Sequence, residues 1–297
     1  MGGSVSLCRY NAINGISDLN AMMKRNTNLL ILSALAVPAI AALTGRWLVV
    51  RQVRRDVADL FAEADTGPVT TYDPAQLVGL PAPVQRYFRH VLTPGQPYLR
   101  TVRLKHDGDF KTDLEKDWMP ITGEEYFLAD KPGYIWIGTT TWFTARDQYV
   151  AGHGSLTVRL LGTLPIQHGS GPAFDQGEIL RWLAETAWFP TSLLPGGPAV
   201  WSPVDDHSAT LTLTDHGLTV SCLMSFNEND ELVRCEAQRQ SDETHAQTWV
   251  CRLFDYRERQ GVLVPTQGGA AWVIGGEEKP YARFILRDIE FDQPVAY

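Results

Sequence analysis

The chain has 297 residues and carries 34 acidic against 26 basic side chains, a formal charge of −8. Phosphate affinity comes from clustered Lys and Arg, so this balance argues against nucleic acid as a partner and suits solubility instead. The four cysteines (Cys8, Cys222, Cys235, Cys251) form no Cys-x-x-Cys pair, which removes the usual zinc and redox signatures.

Residues 1–28 show no periodicity and little charge until Lys24 and Arg25, and are expected to be a disordered tail. Leu29 to Val50 then reads LLILSALAVPAIAALTGRWLVV. About 20 apolar residues are what an α-helix needs to cross a bilayer, so 29–50 is expected to be a transmembrane helix. Pro38 and Gly45 are tolerable in such a helix, and Arg46 with Trp47 suits an interfacial end. Two other readings stay open, a signal peptide cut near Ala39-Ile40-Ala41 and a buried core helix. The side of the membrane stays open too. Arg46, Arg51, Arg54 and Arg55 against Lys24 and Arg25 lean towards a cytoplasmic domain, and a signal peptide would reverse that.

Residues 51–95 are expected to form a helical neck and linker. Val53, Val57, Leu60 and Phe61 share one helical face, residues 66–74 are rich in turn formers, and Val84, Tyr87, Phe88 and Val91 mark a second short helix. From residue 96 to 297 the period changes to two. Eleven alternating segments with mostly short connections predict antiparallel strands: 98–105, 121–129, 134–143, 148–152, 156–161, 208–213, 218–226, 231–238, 248–256, 262–273 and 281–291. One amphipathic helix interrupts them, Ile179 to Trp188, introduced by a capping-box-like Asp175-Gln-Gly-Glu178 and stopped by Pro190. A lone amphipathic helix among strands must bury its face on the sheet. The fold class is therefore mainly β, a β-rich α+β arrangement: a curved antiparallel sheet or half-barrel with a covering helix, preceded by the transmembrane helix and neck.

The strands around Asn227-Glu-Asn-Asp230 alternate on both sides. A two- or four-residue loop there pairs positions summing to 457, which sets Cys222 opposite Cys235. Whether they are two thiols or a disulfide depends on the compartment.

No hydrolase elbow, metalloprotease helix, phosphate loop or dinucleotide fingerprint occurs. No metal site and no cofactor are expected. Gly152-His-Gly154 and His168-Gly-Ser-Gly171 read as polar turns, and Asp205-Asp206-His207 as a solvated Asx turn. Three residues are weak catalytic candidates: Glu185, His153 and Asp175. Glu185 sits within the amphipathic helix, four residues after Arg181. It is either a solvated carboxylate or one at a cavity rim, where burial would raise its pKa.

Several segments resemble a known family: Arg146-Asp-Gln-Tyr-Val-Ala-Gly-His-Gly-Ser155, Gly171-Pro172 through Pro190, Gln85 to Arg89 and Trp201 to Asp206. It is a bacterial domain-of-unknown-function family, often with an N-terminal membrane segment, and the resemblance spans about residues 80–295. It implies no catalytic residues. Phe254-Asp-Tyr-Arg-Glu-Arg-Gln-Gly-Val-Leu-Val-Pro265 also resembles the late hairpin of bacterial lipoprotein carriers. That second resemblance implies a curved antiparallel half-barrel with helices over an apolar cavity that holds acyl chains.

These readings lead to a membrane-anchored binding module for a lipid or other apolar small molecule. Tyr134, Trp136 and Trp142 would form the wall, and Leu180, Leu183 and Trp188 the lid. The alternatives are a membrane-associated hydrolase-like enzyme and a scaffold without a ligand.

Overall fold

A computed structural model describes residues 40, 43–197, 199–240 and 245–297. The chain divides into two compact units, residues 1–51 and 52–297. In the first, residues 43–51 are helical, with Leu43, Trp47 and Leu48 exposed. Most of the apolar run Leu29–Val50 lies outside the described residues, and so does the tail. Among the described residues, no helix is long and apolar enough to cross a membrane.

The second unit opens with helix α1, residues 52–62, which buries Val57, Leu60 and Phe61 as its 3.6-residue spacing requires. A short 3-10 turn, Pro74–Leu77, is capped by Asp73, whose side chain accepts from Ala75 N–H while Gln76 accepts from Asp73 N–H. Helix α2, Ala82–Val91, buries Val84, Tyr87, Phe88 and Val91.

Among the described residues, 13 strands form one antiparallel sheet. They are β1 Thr101–Phe110, β2 Met119–Leu128, β3 Tyr134–Thr139, β4 Phe143–Val150, β5 His153–Leu160, β6 Leu164–Ser170, β7 Ala199–Pro203, β8 Ser208–Asp215, β9 Leu218–Phe226, β10 Leu232–Gln240, β11 Ala246–Arg259, β12 Val262–Ile274 and β13 Glu277–Phe291. Their order is β6-β5-β4-β3-β2-β1-β13-β12-β11-β10-β9-β8-β7. First and last strands meet in the middle, and two meanders run outward to the edges β6 and β7. Those edge strands are consecutive in the chain. Helix α3, Pro172–Glu185, lies between them, continued by 3-10 turns Thr186–Trp188 and Pro190–Leu193. It touches β4, β5 and β6 on one wing and β9 and β10 on the other. A sheet reaches one helix from both wings only by curling round it, so α3 occupies the concave face of a half-barrel.

Strand alternation separates the two faces. On β2 and β3, Tyr126, Leu128 and Ile135 pack on α1 outside the curl, whereas Phe127, Tyr134 and Trp136 enter the main core within it.

The structure corrects four sequence expectations. The strands β6 and β7 were not expected. β6 is almost wholly exposed and contains Pro165 and Gly169, and β7 is short and ends at Pro203. Edge strands bury no regular face, so alternation does not mark them. His168-Gly169-Ser170 is accordingly strand, not turn, while Ala151-Gly152 does turn the chain, both with positive φ.

The helix expected at Ile179 starts at Pro172, and Asp175 makes no capping box; its carboxylate instead accepts from the Gly154 N–H across to β5, at 2.7 Å. Cys222 and Cys235 are not opposite each other. Phe226 pairs with Leu232 around a five-residue loop, and a bulge between Leu232 and Arg234 adds one more step, so Cys235 faces Met224. Each odd step alone would turn the strand over; together they shift the register by two and keep both thiols in the core. Cys222, Cys235 and Cys251 are free. Lastly, Trp142 is not in the wall: it stands 66% exposed between β3 and β4.

Candidate functional site

Between α3 and the concave sheet lies a cavity of about 220 Å³. The sequence makes room for it. Across from the helix, β12 and β13 supply Gly268, Gly269, Ala270 and Ala282, side chains too small to reach α3. The walls are aromatic: Trp136, Phe174, Trp188, Trp249, Tyr281 and Phe284. Trp136 lies across the sheet beside Gly138, where an added Cβ would fall 2.1 Å from its ring. Its indole N–H donates to His106 Nε2 at 2.8 Å, and burial holds His106 down at about 4, hence neutral.

One side of the cavity is charged. Helix α3 is apolar on nearly all sides, with Ile179, Leu180, Trp182, Leu183 and Ala184 buried, so its charged residues are buried with it. Arg181 is the hub. Its Nε donates to Glu185 Oε1 at 2.9 Å, one Nη to Asp147 at 2.9 Å and the other to Glu125 at 2.8 Å. The guanidinium also lies over the rings of Tyr134 and Trp136, at 5.1 and 4.9 Å. A second pair sits beside it. Arg239 on β10 donates to Glu178 at 3.3 Å and covers Trp249 at 5.3 Å. The Tyr134 hydroxyl donates to the other Glu178 oxygen.

Desolvation, and then the Glu185 charge, push the Glu125 carboxyl well above the usual carboxylate range. Of the two coupled carboxyl groups Glu125 is raised the further, so it is the one that holds a proton. Desolvation and the Glu178 charge raise Asp147 to about 7, and one Asp147 oxygen has no hydrogen-bond partner. Burial likewise raises Glu185.

The residues singled out in the sequence fall in different places. Trp136, Trp188 and Glu185 line the cavity. Tyr134 lies under Arg181, fully buried. Leu180 and Leu183 are closed core, at 1% and 0% exposure, and Trp142 is on the surface. His153 is exposed, 3.9 Å from Asp175, away from the cavity. Asp205 forms the expected Asx turn, accepting from His207 N–H and Ser208. Sequence reading missed Glu125, Asp147, Glu178, Arg239 and Trp249. A signal existed for one of them: Glu178, Arg181 and Glu185 follow i, i+3, i+7 on a helix with no other charged residue after its first turn. Among the described residues no group of His, Cys, Asp and Glu is arranged to hold a metal ion.

Fold and cavity define a class, the curled antiparallel sheets closed by a helix over an internal cavity. Within the known sequence families, residues 70–284 match the family of unknown function DUF6544, and the chain belongs to it. No curated protein matches the sequence. Among solved structures it is similar to a LolA superfamily protein from Nitrosomonas europaea, at 12% identity and a TM-score of 0.41, over 71% of this chain and 93% of that one. It is also similar to a putative outer membrane lipoprotein-sorting protein domain from Vibrio parahaemolyticus, at 6% identity and a TM-score of 0.40, over 72% and 92% of the two chains.

Proposed function

We propose that this protein is a binding module for a lipid or another apolar small molecule, held between α3 and the concave sheet. The observation that carries the reading is the aromatic-walled cavity of about 220 Å³ in a core otherwise filled by large side chains. Pockets for drug-sized ligands run to roughly 300–1,000 Å³, so this one suits a small apolar group or the end of a longer chain. The apolar run Leu29–Val50 supports the further reading that the module is anchored in a membrane. The test is a titration of the full-length protein with a neutral fluorescent apolar probe. Saturable binding, weakened by Trp249→Phe with stability retained, is expected. No saturable binding by the wild type would overturn the reading.

The raised carboxyl groups favour a second reading, a hydrolase-like enzyme, since acids and bases with shifted pKa values mark many active sites. The geometry weighs against it. Arg181 binds Glu125, Asp147 and Glu185 at once, so each of these carboxyl groups is tied to the same cation. The thiol among the lining residues, Cys251, is pushed up by burial and is no nucleophile.

A further inference from the structure

The cavity is a box with fixed walls. Its three tryptophans spend their indole N–H groups inside the protein: Trp136 on His106, Trp188 on the Pro265 carbonyl at 3.0 Å and Trp249 on the Tyr281 hydroxyl at 2.8 Å. Arg181 and Arg239 lie over the rings of Trp136 and Trp249. A ring bonded at its edge and covered on a face has little freedom to swing aside. None of the lining side chains is a methionine, the residue that lets adaptable pockets re-pack. The volume of the cavity is therefore a limit on what enters it.

The floor sets that limit. Residues directly opposite each other share a face of the sheet. Across β11, β12 and β13, Leu253, Gly268 and Phe284 form one row and Cys251, Ala270 and Ala282 the next, and all six line the cavity. In the first row a glycine stands between two large side chains, and the second row is small throughout. Backbone geometry requires glycine at Gly269, where an added Cβ would fall 2.9 Å from the Ala282 carbonyl oxygen. It does not at Gly268, where an added Cβ would meet only ordinary contacts, at 3.6 and 3.7 Å. What Gly268 supplies is empty space, at the loss of stability that a glycine inside a strand carries.

We infer that the ligand is one compact apolar molecule, the size of a substituted ring, and that Gly268, with Ala270 and Ala282, sets how far it enters. This rests on the binding-module reading and narrows it to one ligand class. An apolar cavity of about 150 Å³ takes up benzene, so one of about 220 Å³ holds about nine carbon atoms. The acyl chain of a membrane lipid is longer than that by half or more, and fixed walls do not open for the excess.

Four neutral alcohols test the limit: phenylethanol and octanol, which fit within it, and dodecanol and anthracenemethanol, which exceed it. The full-length protein, in nanodiscs of zwitterionic lipid with empty nanodiscs as the blank, is titrated with each by calorimetry. The two small alcohols are expected to bind saturably and the two large ones to show no heat beyond the blank. Gly268→Val fills the floor from a position where the backbone accepts a side chain. It should weaken phenylethanol binding at least about tenfold and leave the melting temperature unchanged or higher. Should that variant fail to fold, Ala270→Val provides the same comparison in the next row. Dodecanol or anthracenemethanol binding as tightly as the small alcohols overturns the compact ligand and leaves the binding module standing. Unchanged phenylethanol affinity in a folded Gly268→Val overturns the role given to the floor. No binding of any of the four overturns the module reading itself, and the size limit with it.

Discussion

Arg181 shows how a charged side chain is kept inside an apolar core. Three carboxyl groups take one N–H from each of its three nitrogens, and two aromatic faces cover its plane. Taking away the cation leaves buried carboxylates unpaired, so Arg181→Met is expected to cost about 3–5 kcal/mol in a denaturant titration. Glu125 should behave differently, because it is held in its neutral form. An amide oxygen can accept from Arg181 as the neutral acid does. Glu125→Gln is therefore expected to stay within about 1 kcal/mol of wild type. A loss as large as that of Arg181→Met would show that Glu125 is ionised in the fold.

At the scale of elements, α3 is both the link between the edge strands and the lid of the cavity, and its faces have separate duties. Leu183 belongs to the filled core, so Leu183→Ala should cost about 2–5 kcal/mol and leave the affinity for a neutral probe unchanged. Loss of affinity in step with stability would place the cavity at Leu183 instead. The join of α3 to β5 depends on Gly154. An added Cβ would fall 2.3 Å from the Phe174 carbonyl oxygen in the first turn of the helix. Gly154→Ala is expected to lower the melting temperature by several degrees and to speed exchange of the β5 amides; an unchanged melting temperature would mean that α3 can ride outward freely.

For the whole molecule, pH dependence reports the buried cluster. Asp147 is raised from 3.8 to about 7, so between those values the native state holds more protons than the unfolded chain. Its contribution is fully present below pH 4 and is lost as pH rises to 7. His106 works the other way. It is lowered from 6.5 to about 4, so its contribution is gained as pH rises through the same interval. The two slopes oppose each other, and a difference measurement separates them. The stability of Asp147→Asn relative to wild type should rise between pH 5 and 7.5, by at most about 1.4 kcal/mol per pH unit. A flat difference would mean that Asp147 does not titrate in that range. The anchor proposed at Leu29–Val50 is tested on the full chain: after an alkaline wash the protein is expected to stay in the membrane fraction, and its release would overturn that reading.

The sequence by itself determined whatever repeats. Period-two alternation marked eleven of the strands, most of which bury one regular face, and 3.6-residue spacing marked the faces of α1 and α2 for the same reason. It could not mark β6 or β7, where an edge buries too little to leave a pattern, nor count the five-residue loop and bulge that set Cys235 against Met224. Tertiary structure alone decided the site. Glu125, Asp147, Arg181 and Arg239 lie on four elements spread over more than 110 positions, and each reads singly as an ordinary surface charge. They meet because α3, in crossing from one sheet edge to the other, draws both wings round itself. The cavity follows from the same curl, since glycines and alanines on β12 and β13 leave space only once a helix roofs them. Burial and pairing depend on distance across the fold, and a linear pattern carries no record of it.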